Sequence, residues 1–210
     1  MREMLARSID AMHRTIVDRA AELDALDEAI GDGDHGTNLA KGFAAVAAQR
    51  DEIAGMPLRT ALERIGYLLE TEAGGAGGAF YGALFTGMGR ATPAGPVGPT
   101  ELAAMLRAGV AAVERKGDAR KGEKTLLDVL IPVAQALESL LAEGRTDQLG
   151  ARVLAAAAHG LHATTHMVAK HGLAADLGVA SVNRLDPGAC SCALLIGAVV
   201  GALEDERKAA

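Results

Sequence analysis

Apolar residues recur along this chain at intervals of three and four positions, the spacing of one face of an α-helix. No segment shows the sustained alternation of apolar and polar residues that a half-buried strand requires. Half of the residues are hydrophobic but only 2% are aromatic, so alanine and aliphatic side chains must fill the core. Alanine and leucine favour helices, whereas strands favour β-branched and aromatic residues. The sequence therefore predicts an all-α fold of eight helices, the seventh running from about Thr146 to Ala169.

The length and the charge of the chain limit the number of domains and the classes of partner that it can have. With 210 residues, the chain is long enough for one large domain, and we expect a single domain over residues 1–210. The formal net charge of -6 argues against nucleic-acid and anionic-membrane partners, because neither polyanion gains counterion release on an acidic surface.

The two ends of the sequence indicate a cytoplasmic location. The N-terminal segment carries charges throughout and shows no signal peptide. Near the other end, Cys190 and Cys192 are two residues apart, and helical side chains at that spacing point away from each other, which does not suit a disulfide. The longest apolar run, from Ala189 to Leu203, is shorter than the roughly 20 residues of a membrane-spanning helix. We interpret it as a buried helix.

The strongest local signal is an aspartate-rich loop, LDEAIGDGDHGTN, between the first two predicted helices. Its glycines allow the backbone to fold tightly. The carboxylates of Asp27, Asp32 and Asp34 would repel each other unless a cation lay between them, and oxygen ligands suit Mg2+ or Ca2+. Counting from Asp32, the twelfth position is Phe43, where an EF-hand requires glutamate, so that kind of calcium loop is excluded.

We interpret this loop as a Mg2+ site that phosphates and water complete, with Asp27, Asp32 and Asp34 as ligands. The alternative is a solvated turn in which Asp32 or Asp34 caps the second helix.

Three further segments have weaker signals. A glycine run, Gly74–Gly78, precedes a helix and could leave N–H groups free for an anion, or it could simply allow close helix packing. The charged segment from Gly117 to Thr125 resembles a P-loop, but Glu123 interrupts the pattern and a helix precedes it where a P-loop needs a strand. A structural role, in which Thr125 caps the helix that follows, explains this charged segment as well. Asp186 and Pro187 are typical of a helix start whose N–H groups could hold part of a ligand.

A competing constellation is a stripe of three histidines on the seventh predicted helix. His159, His162 and His166 are spaced i, i+3 and i+7, which could form a zinc site with one open position. No acidic residue lies within a turn to orient the imidazoles, as metal sites usually require.

Taken in order, four segments resemble the L subunit of dihydroxyacetone kinases: LDEAIGDGDHGTNLAKGF, GGAGGAFYGALF, RKGDARKGEKTLLDVLIP and LDPGACS. The resemblance spans nearly the whole chain, and its first segment is the most specific. It implies a barrel of eight antiparallel helices with the nucleotide at one end. It also implies that Mg2+, expected as two ions, binds to Asp27, Asp32 and Asp34 and bridges the phosphates of ADP or ATP. The implied nucleotide contacts are His35, Gly36, Thr37 and Asn38 with Ala76 and Gly77 at the phosphates, Gly117 and Leu126 at the adenine or ribose, and Asp186, Pro187 and Gly188 from the last helix.

The resemblance implies phosphoryl transfer by a chain that works only with a partner. A sugar-binding K-type subunit would hold dihydroxyacetone, or another triose or tetrose, covalently on a histidine. The donor would be ATP or a phosphohistidine protein that rephosphorylates bound ADP, and a homodimer is left open. A different class of function, a nucleotide-binding regulatory module without chemistry, is the alternative.

Three positions depart from the family pattern. Gly77 stands where the family usually has serine, and Leu126 stands where methionine is common. Leu173 replaces an arginine in a segment that typically reads Gly-Arg-Ala-Ser-Tyr-Leu-Gly, and Asp176 adds a negative charge there. Leucine cannot replace the bidentate contact of arginine with phosphate. We therefore expect weaker nucleotide retention than in close relatives, which favours a kinase that exchanges ATP.

Overall fold

Helices form most of residues 1–209, the part of the chain that the computed structural model describes; of residues 206–209 only the backbone is described. Within this range there is no strand, which confirms the all-α prediction. In chain order the helices are α1 (Arg2–Glu28), α2 (His35–Ala48), α3 (Arg50–Gly55), α4 (Leu58–Leu68), α5 (Gly75–Arg90), α6 (Pro99–Gly117), α7 (Leu127–Ala142), α8 (Leu149–Ala163), α9 (Gly172–Asp176) and α10 (Pro187–Ala209).

The eight helices expected from the sequence correspond to the eight longer ones, because α3 and α9 have only six and five residues. The seventh helix, α8, is shorter than the predicted range from about Thr146 to Ala169. It ends at Ala163, where a 3-10 turn, Thr164–His166, follows. The hydroxyls of Thr164 and Thr165 each donate to a carbonyl three residues earlier, at 2.7 Å, and so compete with the backbone N–H groups that would continue the helix.

The helices pack in chain order and the order closes on itself. Helix α1 packs on α2 and on α10, α4 on α5, α5 on α6, α6 on α7, α7 on α8, and α8 on α10. A π-helical turn, Leu69–Ala73, extends α4 and packs on α2. The eight-helix antiparallel barrel and the single domain stay predictions.

The core is aliphatic, as the composition predicts. Its few aromatic side chains include Phe43 and Tyr81, which are almost fully buried and meet edge to face with ring centroids 6.3 Å apart. This contact joins α2, which follows the aspartate loop, to α5, which begins in the glycine run. Aromatic pairs of this kind contribute roughly 0.5–1.5 kcal/mol beyond the area that they bury.

Helix α10 is only partly the buried helix expected from the sequence. Its first turns are buried, including the two cysteines, which are both free. From Ile196 to Leu203 every residue is partly exposed. The stretch Pro187–Asp205, with 19 residues and a mean hydropathy of 1.6, is long and apolar enough to cross a membrane. One helix of this kind is weak evidence for a membrane span, because core helices pass the same test, and α10 packs against α1, α7 and α8.

Gly36 in the first turn of α2 allows the close approach of α1. A Cβ at this position would lie 2.0 Å from the carbonyl oxygen of Ala20 and 2.7 Å from its carbonyl carbon. Both atoms belong to the backbone of a helix and cannot move alone. The aspartate loop joins these two helices, so their distance determines its shape.

We expect Gly36→Ala to lower the free energy of unfolding by about 1–3 kcal/mol, because one of the two helices must shift. Urea unfolding followed by circular dichroism measures this. Gly201→Ala in α10 is the matched control, since nothing lies within 4 Å of a Cβ there. Alanine should stabilise that position by about 0.5–1 kcal/mol. Equal effects of the two substitutions would contradict the close-approach explanation.

Candidate functional site

The aspartate loop folds around the carboxylate of Asp27, in the last turn of α1. Its Oδ2 accepts the backbone N–H groups of Gly33 at 3.0 Å and Asp34 at 3.1 Å. Gly33 has a φ of +79°, which suits glycine. A Cβ at Gly31 would lie 2.3 Å from Asp27 Oδ1, so a side chain there would displace this carboxylate. The loop sequence thus fixes the direction of one carboxylate.

The loop brings together the three aspartates predicted to bind metal. One carboxylate oxygen from each of Asp27, Asp32 and Asp34 lies within 4.8 Å of the other two. Asp27 is partly buried, whereas Asp32 and Asp34 are exposed. A set of carboxylate oxygens with open positions fits Mg2+, which keeps several waters and takes one or two carboxylates plus phosphate oxygens.

The described residues contain no other group of three or more His, Cys, Asp or Glu that could hold a metal ion. His162 and His166 meet edge to face with ring centroids 5.6 Å apart, but His166 belongs to the 3-10 turn after α8. The zinc alternative therefore gains no support from the histidine geometry.

The capping alternative assigned the wrong residue. Asp34 occupies the N-cap position of α2, but its side chain makes no capping hydrogen bond. Asp24 of α1 caps the helix instead: its carboxylate accepts the Thr37 N–H at 2.9 Å and the Thr37 hydroxyl at 2.6 Å. Burial raises the pKa of Asp24, but the bonds from Thr37 outweigh burial and leave that pKa below its ordinary value. No local sequence signal identifies Asp24, because 13 residues separate it from Thr37.

A cavity of about 440 Å³ opens beside the aspartates, where the first turns of α2, α5 and α10 meet. Eleven predicted site residues line it: Asp27, Asp32, Asp34, His35, Asn38, Ala76, Gly77, Leu126, Asp186, Pro187 and Gly188. Gly36, Thr37 and Gly117 do not. Gly36 faces α1, and Thr37 is held by Asp24. Gly117 lies one layer behind the cavity, since a Cβ there would lie 2.8 Å from the Phe80 ring, which does line it.

The glycine run forms the start of α5. Gly74 and Gly75 have φ values of +67° and +60°, so the chain turns into the helix through a conformation that other residues rarely adopt. Ala76 and Gly77 follow in the first helical turn and line the cavity. A helix start exposes N–H groups without partners and the positive end of the helix dipole. This wall of the cavity therefore suits an anion.

His35, the first residue of α2, lies across from the glycine run. Its Nε2 is 2.9 Å from the Ser191 hydroxyl of α10, and the same hydroxyl is 2.8 Å from the hydroxyl of Tyr81. Burial lowers the pKa of His35, and the carboxylates of Asp27, Asp24 and Asp34 oppose this only in part. Burial therefore favours the neutral form of this imidazole.

The charged segment before α7 forms another wall of the cavity, and Lys124 in this wall has no local sequence signal. Lys124 is 3% exposed, has a φ of +62°, and its ammonium donates to the carbonyls of Thr164 and Arg184. Burial lowers the pKa of Lys124, opposed by the charges of Asp186 and Asp128. These contacts join residues at least 40 positions apart, which local patterns do not reveal.

Two more bonds tie this segment to the region of α9. The carbonyl of Glu123 accepts the Lys170 N–H at 3.2 Å, and its carboxylate pairs with His171 Nε2 at 2.7 Å. The expected cap at Thr125 is present, as its hydroxyl accepts the Leu127 N–H at 3.2 Å. Asp128 makes two hydrogen bonds to the backbone of this segment, because its carboxylate accepts the N–H groups of Gly122 at 2.6 Å and Thr125 at 2.9 Å.

Asp186 is the cap of α10, as predicted from its sequence. Its Oδ2 accepts the Ala189 N–H at 2.7 Å. Burial raises the pKa of this carboxyl to about 7, although the bond from Ala189 and the charge of Lys124 both lower it. Asp186 therefore titrates near neutral pH.

Residues 29–201 match the DAK2 domain. The chain belongs to this family. A PEP-dependent dihydroxyacetone kinase ADP-binding subunit DhaL from Listeria innocua is 36% identical over 85% of this chain and 85% of its own length. The corresponding Escherichia coli subunit is 33% identical, over 80% of this chain and 81% of its own.

Other relatives are about three times as long as the part that this chain matches. A D-erythrulose kinase of Mycolicibacterium smegmatis is 35% identical over 91% of this chain, which spans 34% of that enzyme. The crystal structure of the C. freundii dihydroxyacetone kinase with AMP-PNP and Mg2+ superposes with a TM-score of 0.70 at 26% identity. The match covers 94% of this chain and 33% of the other.

Asp186 should make the stability of this DAK2 domain depend on pH. Between about pH 4 and pH 7 the folded protein keeps a proton on Asp186 that the unfolded chain has released. The stabilisation from this group is complete below pH 4 and is lost as the pH rises through 7. We expect Asp186→Asn, which keeps an oxygen for the Ala189 N–H, to remove this loss. Relative to the unaltered protein, the variant should gain stability between pH 5 and 7.5, by a few kcal/mol at most.

Urea unfolding at several pH values, in EDTA and without nucleotide, tests this expectation. Parallel profiles for the two proteins would contradict the assignment of the raised pKa to Asp186.

Proposed function

We propose that this chain is the nucleotide-binding subunit of a dihydroxyacetone-type kinase, and that it supports phosphoryl transfer from a Mg2+-nucleotide to a triose or tetrose held by a separate K-type subunit. The observation that carries the proposal is the convergence of three carboxylates within 4.8 Å at a cavity formed by helix starts. Neither feature alone would suffice. Together they offer oxygen ligands for a divalent cation beside N–H groups for a polyphosphate.

In this proposal Asp27, Asp32 and Asp34 hold Mg2+, which when bound neutralises charge on the phosphoryl group. The chain itself binds and orients. N–H groups at the starts of α5 and α10 face the phosphates, with the side chains of His35 and Asn38 beside them. Leu126 and Phe80 offer apolar surface to the adenine or ribose, and Gly117 supports Phe80 from behind. No side chain is assigned as a general base.

The relatives support a division of labour between subunits. The DhaL relatives are named as ADP-binding subunits, and this chain spans 85% of the first of them. It spans only a third of the erythrulose kinase and of the solved kinase. We infer that the sugar site belongs to a different chain, in a cytoplasmic complex. The donor is then ATP or a phosphohistidine protein; a homodimer stays a prediction.

The decisive experiment mixes this chain with a K-type subunit, dihydroxyacetone, Mg2+ and ATP, and measures sugar phosphate. Asp32→Asn should reduce the rate and the affinity for Mg2+-ADP by about 100-fold, since it removes one charged ligand without changing the shape. Glu28→Gln is the matched control, because Glu28 is exposed beside the loop but outside the cluster, and it should change either quantity less than twofold. Unaltered Mg2+-ADP binding by Asp32→Asn would refute the metal assignment.

A second candidate function is a nucleotide-binding regulatory module without chemistry. Leu173 and Gly77 favour it, because both line the cavity and neither offers the side-chain donor that the family pattern has there. Binding of Mg2+-ADP without any sugar phosphate, tested with both phosphoryl donors and several K-type subunits, would support this candidate over the kinase.

The leucine in α9 should weaken nucleotide retention. Leu173 lines the cavity and is 55% exposed, so a longer cationic side chain has room to reach a phosphate. We expect Leu173→Arg to raise the affinity for Mg2+-ADP by about tenfold, mostly through slower dissociation. Calorimetry and stopped-flow release measure both quantities. Val179→Arg adds the same charge to a 79% exposed position that does not line the cavity, and should have little effect. Equal gains would show that charge alone acts.

A further inference from the structure

The hydroxyl of Ser191 lies at the centre of a buried set of hydrogen bonds. Its Oγ is 2.8 Å from the Tyr81 hydroxyl, 2.9 Å from His35 Nε2 and 3.0 Å from the carbonyl oxygen of Gly188. Ser191 is fully buried and Tyr81 is 2% exposed, so water cannot readily replace any partner. One hydroxyl thus connects α2, α5 and α10, the three helices whose starts surround the cavity.

Either hydroxyl could donate in the bond between Tyr81 and Ser191, but the buried Tyr81 proton needs an acceptor, and this requirement leaves two arrangements of the set. A serine hydroxyl has one proton to donate and can accept two. If Ser191 donates to the Gly188 carbonyl, both the Tyr81 hydroxyl and a protonated Nε2 of His35 must donate to Ser191. If Ser191 donates to Nε2 instead, Tyr81 still donates to Ser191, and the proton of the neutral imidazole is on Nδ1. Burial raises the pKa of Tyr81 well above its usual value, so Tyr81 keeps its proton in both.

The two arrangements present opposite properties to the cavity. The Cε1 and Nδ1 atoms of His35 lie against Gly77, each 3.2 Å from the point where a Cβ would stand. Both residues line the cavity. In the first arrangement Nδ1 presents a lone pair there, which repels an anion. In the second it presents an N–H donor, which binds one.

We propose that Tyr81 and Ser191 are positioning residues that set the tautomer of His35, and that the Ser191 hydroxyl turns from the Gly188 carbonyl to His35 Nε2 when a nucleotide phosphate enters the cavity. This rests on the proposed nucleotide site. Both protons are exchanged with water of the cavity while the bond between the ring and Ser191 is broken: Nε2 releases one proton and Nδ1 takes one, so the ring stays neutral and the proton count is unchanged. His35 then donates from Nδ1 at the place where the family pattern has a serine hydroxyl and this chain has Gly77.

Nitrogen NMR of protein labelled at its histidines tests the switch directly. The ring nitrogens of His35, assigned with His35→Asn, should show protonation at Nε2 in the free protein and at Nδ1 with saturating Mg2+-ADP. An unchanged tautomer would overturn the proposal. A doubly protonated ring in the bound protein would overturn it too. A merely structural role for Ser191 predicts no change.

Calorimetry with Mg2+-ADP tests whether Tyr81 acts on His35 only through Ser191. Ser191→Ala should weaken binding by at least about tenfold, since a bond to a charged phosphate is affected. Tyr81→Phe should weaken it by about threefold. Because Tyr81 acts only through Ser191, Tyr81→Phe should cost nothing further when Ser191→Ala is already present. Equal costs of Tyr81→Phe in both backgrounds would overturn the proposed order.

Ser8→Ala, at a buried serine of α1 that does not line the cavity, is the control and should leave affinity unchanged. Loss of affinity in this control equal to that in Ser191→Ala would show a general packing effect and overturn the proposal. The outcomes also separate the two proposals. No Mg2+-ADP binding by the unaltered chain refutes both, whereas normal binding with an indifferent Ser191→Ala refutes only the positioning role.

Discussion

Mutual repulsion among the carboxylates of one loop is the constraint on which the site depends. Two unit charges 4 Å apart repel by about 1 kcal/mol in water and about 4 kcal/mol at the effective dielectric constant near a protein surface. The loop holds Asp27 in this arrangement through the N–H groups of Gly33 and Asp34, and it uses glycine at positions 31 and 33 where a side chain would collide or strain the backbone. This repulsion, which a cation would relieve, is the physical reason for the metal site that we propose.

The rest of the fold brings complementary groups to those charges. Helices α2, α5 and α10 begin at the same cavity, and helix starts supply N–H groups and positive potential. The close packing at Gly36 holds α2 against α1, and the Phe43–Tyr81 contact holds α2 against α5. Packing in the core thereby sets the spacing between the proposed metal ligands and the walls that would face a phosphate. A displacement of one helix would alter both sides of the site together.

Much of this arrangement could be predicted from local sequence. The helices follow from periodicity, and the aspartate loop, the glycine run and the cap at Asp186 are contiguous patterns whose chemistry depends on near neighbours. The cap of α2 was assigned to the wrong residue, because Asp24 reaches Thr37 across two helices. The contacts of Lys124 and the pair of Glu123 with His171 could not be predicted for the same reason. The end of α8 was misplaced, since threonine hydroxyls rather than an apolar pattern terminate it.

The buried ammonium of Lys124 has a consequence for how ligands enter and leave. It binds the carbonyls of Thr164 and Arg184, and these two residues flank the segment that contains α9. Both ends of this segment, residues 164–184, are therefore held by the Lys124 ammonium. Glu123 holds the segment a second time, through Lys170 and His171. If the whole segment moved away from the cavity, the buried Lys124 ammonium would lose both of its hydrogen-bond acceptors. We therefore expect the cavity to open by bending near Leu173, between Gly172 and Gly178, whose φ values are positive.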